Sequence, residues 1–159
     1  MKKTEEKTNV SRIFEQHGLE HTQHSTGNPV AVSGVEVAAA LGVDPDRMFK
    51  TLVTVAKSNA HYVFMVPVAK ELNLKKAAAA CGEKNIAMIK VKELLPLTGY
   101  VHGGCSPIGM KKQFKTFIDE TAVLYDTIFF SAGKIGYQIE TSLSALCELV
   151  PVACADLCD

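Results

Sequence analysis

Two runs rich in β-branched and aromatic residues, separated by a short polar segment, constrain the fold most strongly. The runs are residues 49–56, Phe-Lys-Thr-Leu-Val-Thr-Val-Ala, and residues 61–68, His-Tyr-Val-Phe-Met-Val-Pro-Val. Between them stands Lys-Ser-Asn-Ala at 57–60, a segment of the length and polarity that joins antiparallel strands. The pattern predicts a β-hairpin.

Helix start and stop signals occur on both sides of this hairpin. Ser33 and Glu36 have the spacing of a capping box, and Gly42 stands where that helix would end. Asn73 and Gly82 bracket a second such segment. The predicted helices are residues 3–17, 34–41, 73–81, 91–95 ending at Pro96, and 142–150, with about one further turn at 44–47.

The remaining apolar runs are short and predict further strands, at residues 20–25, 85–89, 116–118, 123–125, 127–131 and 137–141. Strands and helices do not alternate regularly, which favours a mixed or antiparallel sheet over a doubly wound one. With 159 residues and no linker or repeat, we expect one domain over residues 1–159. The fold class is therefore α/β of an α+β-like kind.

The charges exclude several classes of partner. Seventeen basic and seventeen acidic residues cancel, so no overall field attracts DNA or an anionic membrane. The N-terminus lacks an apolar signal region, and no run approaches the roughly 18 apolar residues of a membrane span. We expect a cytoplasmic protein.

A glycine-rich stretch at 98–109, Thr-Gly-Tyr-Val-His-Gly-Gly-Cys-Ser-Pro-Ile-Gly, predicts a site loop. It holds four of the eleven glycines, which allow close approach of the backbone to a ligand, and Pro107 limits its flexibility. The N–H groups of such a loop can converge on negative charge. A tight connection between two strands is the alternative.

Lys50 is the charged residue of the first hairpin strand. The strand period of two places it on one face with Leu52 and Ala56, while Phe49 and Val53 share the other, and both faces are largely apolar. A lysine in this position either extends to solvent at the strand end or lies in a pocket where its charge is used.

The five cysteines do not form a metal motif. They lack a C-x-x-C pair and are read as small buried hydrophobic residues. Cys154 and Cys158 would share a helix face if the tail is helical, but two ligands do not complete a zinc site. No metal is expected. His21 and His24 fall on or near an edge strand, the one predicted at residues 20–25, and are interpreted as solvated histidines.

Five segments in the same order and spacing together resemble the YbaK/EbsC family, which includes the editing domain of many bacterial prolyl-tRNA synthetases. Each segment alone is weak evidence, whereas five in register are specific. The resemblance covers about residues 10–150. The segments are residues 48–53, 72–77, 98–109, 118–119 and 131–134.

The resemblance implies a single domain with a mixed, barrel-like sheet and peripheral helices. It also implies deacylation of mischarged aminoacyl-tRNA, with cysteinyl-tRNA(Pro) as the substrate of YbaK-like members, and no cofactor. Residues carried over as catalytic are Lys50, Gly103 and Gly104. Those carried over as substrate-binding are His24, Thr51, Tyr100, Ser106, Pro107, Ile108, Gly109, Ser131, Gly133 and Gln138.

The neutral net charge limits how such an RNA would be bound. Counterion release scales with the number of phosphates contacted, so a chain without a basic surplus should engage few of them. We expect contact with the acceptor end of the aminoacyl-tRNA alone, with prolyl-tRNA synthetase as a partner that discriminates among tRNAs. Lys111, Lys112 and Lys115 form the best local basic patch, unless they belong to an ordinary solvated turn.

Three positions depart from the family pattern. His24 stands where a tyrosine is common, Gln138 where an acidic residue is common, and Cys105 where the loop usually has an aliphatic residue. The first two leave the amino-acid specificity open. Cys105 in a glycine-rich loop suggests a thiolate nucleophile. Cleavage of an activated ester, however, needs only positioning of the reactants and stabilisation of the developing charge.

Two other hypotheses for the function therefore remain beside deacylation. One is a non-catalytic module that binds an aminoacyl or nucleotide ligand in the same pocket, and the other is a thiol enzyme that uses Cys105. Within the deacylase reading, the attacking group is water or the thiol of the substrate cysteine.

Overall fold

A computed structural model of the chain describes residues 7–159. Its helices are α1 (Asn9–Gln16), α2 (Gly34–Leu41), α3 (Leu74–Cys81), α4 (Val91–Thr98) and α5 (Leu143–Leu149), with 3₁₀ turns at Pro45–Arg47 and Glu120–Leu124. Its strands are β1 (Thr22–Ser25), β2 (Phe49–Ala56), β3 (His61–Pro67), β4 (Ile86–Met88), β5 (Lys115–Asp119), β6 (Ile128–Ser131), β7 (Tyr137–Thr141) and β8 (Val152–Ala155).

These strands form two sheets. In the five-stranded sheet the order is β4-β2-β3-β5-β8, with β2 antiparallel to β3 and β4, and β5 parallel to β3 and β8. The three-stranded sheet, β1-β7-β6, is antiparallel. A parallel bridge between Met48 and Phe129 joins the two sheets. The expected α/β fold with a mixed sheet and peripheral helices is confirmed.

The largest core lies where the two sheets face each other. It joins side chains from both sheets to α1 and α5: Phe49, Met65, Ile118, Phe130, Ile139, Phe14 and Leu146. A second core covers the opposite face of the five-stranded sheet, where Phe64 and Phe117 pack under Ala77 of α3. Burial on both faces explains why β2 and β3 read as nearly continuous apolar runs.

The hairpin and the helix caps form as the local sequence predicts. Phe49 pairs with Pro67 and Val55 with His61, and the connecting turn has Asn59 at a φ of 72°. Ser33 and Glu36 complete a reciprocal capping box on α2. Asn73 accepts hydrogen bonds from the N–H groups of Lys75 and Lys76 at the start of α3.

The prediction of a strand at 123–125 is wrong. Residues Glu120–Leu124 form a 3₁₀ turn because the carboxylate of Asp119 accepts hydrogen bonds from the backbone and the hydroxyl of Thr121. Val123 and Leu124 are exposed, so their apolar character does not reflect a sheet face.

The prediction that Pro96 ends its helix is also wrong. Helix α4 continues to Thr98 and ends at Gly99, which has a φ of 84°. Pro96 is exposed near the end of a short helix, and the hydroxyl of Thr98 donates to the carbonyl of Leu94 at 2.7 Å. Solvent can satisfy the carbonyl that Pro96 leaves without a backbone partner.

The two ends of the chain differ from expectation in extent. Helix α1 spans Asn9–Gln16, and the part of the predicted helix at 3–6 lies outside the described residues. The tail contains strand β8, so Cys154 and Cys158 do not share a helix. None of the helices in residues 7–159 is long and apolar enough to cross a bilayer.

Candidate functional site

A cleft of about 530 Å³ lies at the end of β2, between the two sheets. Its walls come from β2, the residues after β3, the first turn of α2, the glycine-rich loop and the three-stranded sheet. Five of the residues carried over as catalytic or substrate-binding line it: Lys50, Thr51, Gly103, Ser131 and Gln138. Residues far apart in the chain thus meet around one space.

The cleft occupies an unpaired stretch of the β2 edge. Strand β4 pairs with β2 only from Thr54 to Ala56, and the bridge to β6 is at Met48. Among the described residues, no strand pairs with the segment between them on this edge. Backbone groups of β2 therefore border the cleft directly.

Alternation along the hairpin determines which of these groups face the cleft. Val68 N–H donates to Met48 O at 2.8 Å and Ala56 N–H to Ala60 O at 2.8 Å, so the even-numbered residues of β2 bond to β3. Odd-numbered residues turn the other way, as Val53 does when its carbonyl accepts from Ile89 N–H at 3.3 Å. By this alternation, Thr51 directs its N–H and C=O toward the cleft.

The side chain of Thr51 adds a third polar group at the same place. Its Oγ1 is buried and has no hydrogen-bond partner among the described residues. A buried hydroxyl without a partner is unusual because its desolvation is not compensated.

Lys50 supplies the positive charge on the β2 wall. Its side chain is 28% exposed, and its Nζ lies 3.6 Å from Oε1 of Glu71, whose own side chain is 94% exposed. An ion pair this open to water contributes little to stability, so the ammonium group can exchange Glu71 for an anionic ligand. Lys50 lines the cleft near the start of β2.

Ser131 and Gln138 form the opposite wall. They are register partners on β6 and β7, and Gln138 is only 8% exposed. Cross-strand partners share a face of the sheet, so a hydroxyl and a carboxamide lie side by side here. His24 follows on β1 as the register partner of Gln138, but it does not line the cleft.

His24 instead belongs to a hydrogen-bonded chain beside that wall. Its Nε2 lies 2.9 Å from Oε1 of Glu140, and Thr127 Oγ1 donates to Oε2 of Glu140 at 2.7 Å. Arg47 donates to the carbonyl of Thr127 from Nε at 3.2 Å and from Nη2 at 3.0 Å. Burial alone would raise the pKa of Glu140, but the hydrogen bonds from Thr127 and His24 outweigh it and lower the pKa.

The glycine-rich loop contributes three residues to the cleft. His102, Gly103 and Cys105 line it, and a Cβ at Gly104 would lie 3.3 Å from the backbone nitrogen of Ile135. Glycine at 104 therefore lets this loop pack directly on the loop after β6. The Gly104 N–H, expected to face a ligand, donates instead to Val101 O at 3.0 Å.

Other predicted residues of the glycine-rich loop, and Gly133 of the loop after β6, lie outside the cleft lining. The predicted substrate-binding residues of this group are Tyr100, Ser106, Pro107, Ile108, Gly109 and Gly133, and none of them lines the cleft. The hydroxyl of Tyr100 donates to the carbonyl of Ile108. Added Cβ atoms at Gly109 and Gly133 would lie 3.0 Å and 2.9 Å from the Tyr100 ring or hydroxyl. Tyr100 thus holds the two loops together.

Cys105 does not have the properties of a nucleophile. It is 9% exposed and packs among Val53, Val63, Met110 and Phe114. Burial raises the pKa of its thiol to about 12, so the thiol stays protonated at neutral pH. A reactive cysteine requires the opposite shift.

Sequence reasoning missed the α2 and α4 sides of the cleft. Val32, Ser33, Gly34, Val35 and Val37 come from the start of α2, and Leu94 from α4. A Cβ at Gly34 would lie 2.7 Å from Cβ of Val68, so glycine is needed for α2 to approach β3 this closely. The capping box indicated where α2 begins, but no local pattern indicated what its first turn faces.

The chain is similar to proteins that act on aminoacyl-tRNA. The family described as the aminoacyl-tRNA editing domain matches residues 28–149. A protein of Enterococcus faecalis, named as a candidate Cys-tRNA(Pro)/Cys-tRNA(Cys) deacylase, EbsC, is 45% identical over 93% of this chain and 91% of its own length. The proline–tRNA ligase of Shouchella clausii is 30% identical over 77% of this chain, which corresponds to 21% of the ligase.

Solved structures agree with the fold. The crystal structure of the hypothetical protein APE2540 superposes with a TM-score of 0.85 at 23% identity, covering 94% of this chain and 99% of that one. A crystal structure described as a candidate trans-editing enzyme for prolyl-tRNA synthetase gives a TM-score of 0.78 at 24% identity, with 94% and 96% coverage. At these identities the likeness concerns the fold. With the sequence matches, the chain belongs to the aminoacyl-tRNA editing domain family.

Proposed function

We propose that this protein is a trans-editing deacylase that removes cysteine from mischarged tRNA(Pro). Its membership of the editing-domain family and its 45% identity to the Enterococcus faecalis protein support the activity. The observation that carries the assignment to this cleft is the meeting of Lys50 with the unpaired β2 edge at Thr51. The volume of about 530 Å³ lies within the usual range for small-ligand sites.

The chemistry requires positioning and charge stabilisation more than a protein nucleophile. The aminoacyl ester is already activated, and its carbonyl oxygen becomes negatively charged in the tetrahedral intermediate. Thr51 N–H is a suitable donor to the bound ester, and Lys50 is suited to a phosphate or ribose oxygen of the terminal adenosine. Gly103 and Cys105 line the cleft on the loop side.

Two attacking groups are compatible with this arrangement. If water attacks, its oxygen bonds to the carbonyl carbon, the ester C–O bond breaks, and a proton passes to the departing ribose oxygen. If the cysteine thiol of the substrate attacks, a C–S bond closes a four-membered thiolactone, the ester C–O bond breaks, and the thiol proton passes to the departing ribose oxygen. Neither route needs Cys105. Product analysis by mass spectrometry separates free cysteine from the cyclic thioester.

The activity is tested by incubating the protein with cysteinyl-tRNA(Pro) and a panel of other aminoacyl-tRNAs. We expect Lys50→Met to lower kcat/KM by about 100-fold, since it removes the charge but keeps the length of the side chain. Lys75→Met, on the exposed first turn of α3, is the matched control and should retain the wild-type rate. Ester loss at the same rate with and without protein would disprove the proposal.

Specific partners extend the proposal. The acceptor end of the tRNA enters the cleft, and prolyl-tRNA synthetase supplies discrimination among tRNAs. The similarity to a proline–tRNA ligase supports this relation. Addition of the synthetase should sharpen the preference for tRNA(Pro) over tRNA(Cys) carrying the same cysteine.

A non-catalytic binding module is the second candidate, and Gln138 is the observation that favours it. A carboxamide lines the cleft where the resembled family has an acidic residue, so a negative charge is missing from the wall. Tight binding of a non-hydrolysable aminoacyl-adenosine without turnover of any ester would support this function. Rapid deacylation would exclude it.

A further inference from the structure

Charge is distributed unevenly along a chain whose total is zero. Residues 84–118 contain six lysines and a single acidic residue, Glu93. Residues 119–159 contain seven acidic residues and a single lysine, Lys134. The neutral total therefore conceals a basic region, and its position decides whether it can act on a ligand of the cleft.

Four of these lysines flank helix α4. Lys90 and Lys92 stand at its first turn, and Lys111 and Lys112 lie at its other end; all four are exposed. We call these four residues the α4 basic surface. Lys111 is fixed against the end of the helix, since its N–H donates to Thr98 O at 3.0 Å and its Cγ would lie 3.3 Å from a Cβ at Gly99. An eight-residue helix separates the two pairs by about 12 Å.

The surface adjoins the cleft. Leu94, in the middle of α4, lines the cleft, and so do His102 and Gly103, which follow the helix by a few residues. A ligand that fills the cleft and continues past Leu94 therefore reaches these lysines. A polynucleotide whose terminal residue occupies the cleft is such a ligand.

The positive charge of the α4 basic surface is uncompensated within the described part of the chain. None of its four lysines forms an ion pair there, whereas Lys76 on α3 pairs with Asp156 and Asp159. Glu93 turns its Oε1 back to its own helix, where it accepts from Lys90 N–H at 3.1 Å. Exposed charges without counter-charges raise the local potential and attract an anionic partner.

The other rims of the cleft have a different electrostatic character. Glu36, Asp44 and Asp46 lie in and just after α2. On the β3 side, Glu71 lies opposite Lys50, and Lys70 Nζ donates to Asp159 O at 3.4 Å. A chain of phosphates leaving the cleft meets acidic or balanced charge on these two sides.

Lys115, expected to extend the basic patch of Lys111 and Lys112, lies elsewhere. Lys115 begins β5 on the same face as Phe117, which packs under α3. Its charge acts to lower the pKa of Cys81 at the end of α3, although burial raises that pKa by more. The five-stranded sheet separates it from α4. The basic region thus divides into a part beside the cleft and a part remote from it.

We propose that the α4 basic surface binds the phosphate backbone of the acceptor-stem duplex, so that a tRNA whose terminal nucleotide lies in the cleft leaves it across α4. The proposal rests on the proposed function for the occupant of the cleft. Over about 12 Å a duplex presents several phosphates, and each lysine that neutralises one releases a condensed counterion. Specificity for base sequence is not required of this surface.

The test compares two charge-reversal variants of equal net charge. Lys90→Glu/Lys92→Glu alters the surface at the first turn of α4, where a carboxylate is compatible with the helix dipole. Lys57→Glu/Lys75→Glu, at the hairpin turn and the first turn of α3, is the matched control. Each is assayed on a cysteinylated acceptor-stem minihelix and on a cysteinylated CCA trinucleotide, which lacks the duplex.

We expect the α4 variant to raise KM for the minihelix by about tenfold, with a salt-dependence slope lower by about two. Its KM for the trinucleotide should match that of the wild type, and the control should match the wild type on both substrates. An equal change on both substrates, or an equal effect of the control, would overturn the proposal. A loss seen only when the synthetase is added would also overturn it, since the surface would then bind protein.

Binding of the uncharged minihelix, followed by fluorescence anisotropy, keeps this test separate from the proposed function. If no ester is hydrolysed but the α4 variant alone weakens minihelix binding, the deacylase assignment fails and the RNA surface stands. If esters are hydrolysed but all variants bind the minihelix equally, the surface fails and the deacylase assignment stands.

Discussion

Cys105 shows how burial decides the chemistry of a single residue. In the sequence it stands among glycines, a position that can favour a thiolate, and His102 is close by. In the structure its sulfur packs in an apolar cluster, and desolvation raises its pKa to about 12. The same thiol would be a nucleophile or an inert core group depending on whether solvent reaches it.

Replacing Cys105 with alanine should therefore change stability more than chemistry. We expect a loss of about 1–2 kcal/mol in the free energy of unfolding, from the small cavity that is left. Deacylation should fall by less than about tenfold, whereas loss of a covalent nucleophile lowers kcat by several orders of magnitude. Single-turnover rates and urea unfolding measure the two effects. A rate that falls to the uncatalysed level would establish the thiol-enzyme reading.

The candidate site also divides residue by residue. Lys50, Thr51, Gly103, Ser131 and Gln138 line the cleft, while most of the glycine-rich loop lies outside its lining. Motif membership located the loop but could not distinguish the residues that line the cleft from those that do not. That distinction depends on Tyr100, which fills the space between Gly109 and Gly133.

At the scale of elements, the cleft depends on how the two sheets are joined. Its β2 wall belongs to one sheet and its Ser131–Gln138 wall to the other, with a bridge between Met48 and Phe129. Beside that bridge, Arg47 donates to Thr127 and Thr127 donates to Glu140. This chain of hydrogen bonds links the residues just before β2 to strand β7.

Removing the hydrogen bonds of the Thr127 hydroxyl should lower the deacylation rate by more than the loss of stability alone explains. Thr127→Val removes the hydroxyl that donates to Glu140 and accepts from Nη2 of Arg47, but it keeps the carbonyl that Arg47 also binds. Thr116→Val is the matched control, because that hydroxyl donates only to Phe114 O, at 2.9 Å, within the other sheet. Each should cost about 0.5–1.5 kcal/mol. In single-turnover assays at a temperature well below the melting temperature of each variant, only Thr127→Val should slow deacylation. If the two variants deacylate at equal rates, the hydrogen bonds of Thr127 do not position the cleft walls.

Helix α4 illustrates why element boundaries are harder to predict than elements. Pro96 is a strong stop signal, yet α4 continues past it and ends at Gly99. Proline cannot donate a backbone hydrogen bond, but here the carbonyl left without that donor is accessible to water. Gly42 and Gly82 end α2 and α3 as predicted, since no second signal competes with them.

For the molecule as a whole, Glu140 makes stability depend on pH. Its pKa is lower in the folded than in the unfolded chain, where a glutamate has a pKa of about 4.3. The stabilisation is complete above that value and is lost as the pH falls through the lower, folded value. We expect Glu140→Gln to lose less stability than the wild type between pH 5 and pH 3. The urea midpoint of unfolding, measured at each pH, reports this stability. The control variant Glu148→Gln, on the exposed side of α5, should follow the wild type. If the midpoints of all three proteins change in parallel with pH, Glu140 is not the source of the pH dependence.

Features that depend on neighbours along the chain follow from local sequence. The hairpin, the caps at Ser33 and Asn73, and the glycine ends of α2 and α3 are set by hydrogen bonds within a few residues. The resemblance across five segments added the family, which the comparisons confirm.

Tertiary structure alone decided what those elements face. Thr51 borders a cleft because β4 is too short to cover the β2 edge, and Lys111 is separated from Lys115 because a sheet passes between them. Cys105 is inert because α4 and the loop cover it. Each outcome depends on the pairing and packing of segments distant in sequence, and the free energy of those contacts is invisible in any local window of residues.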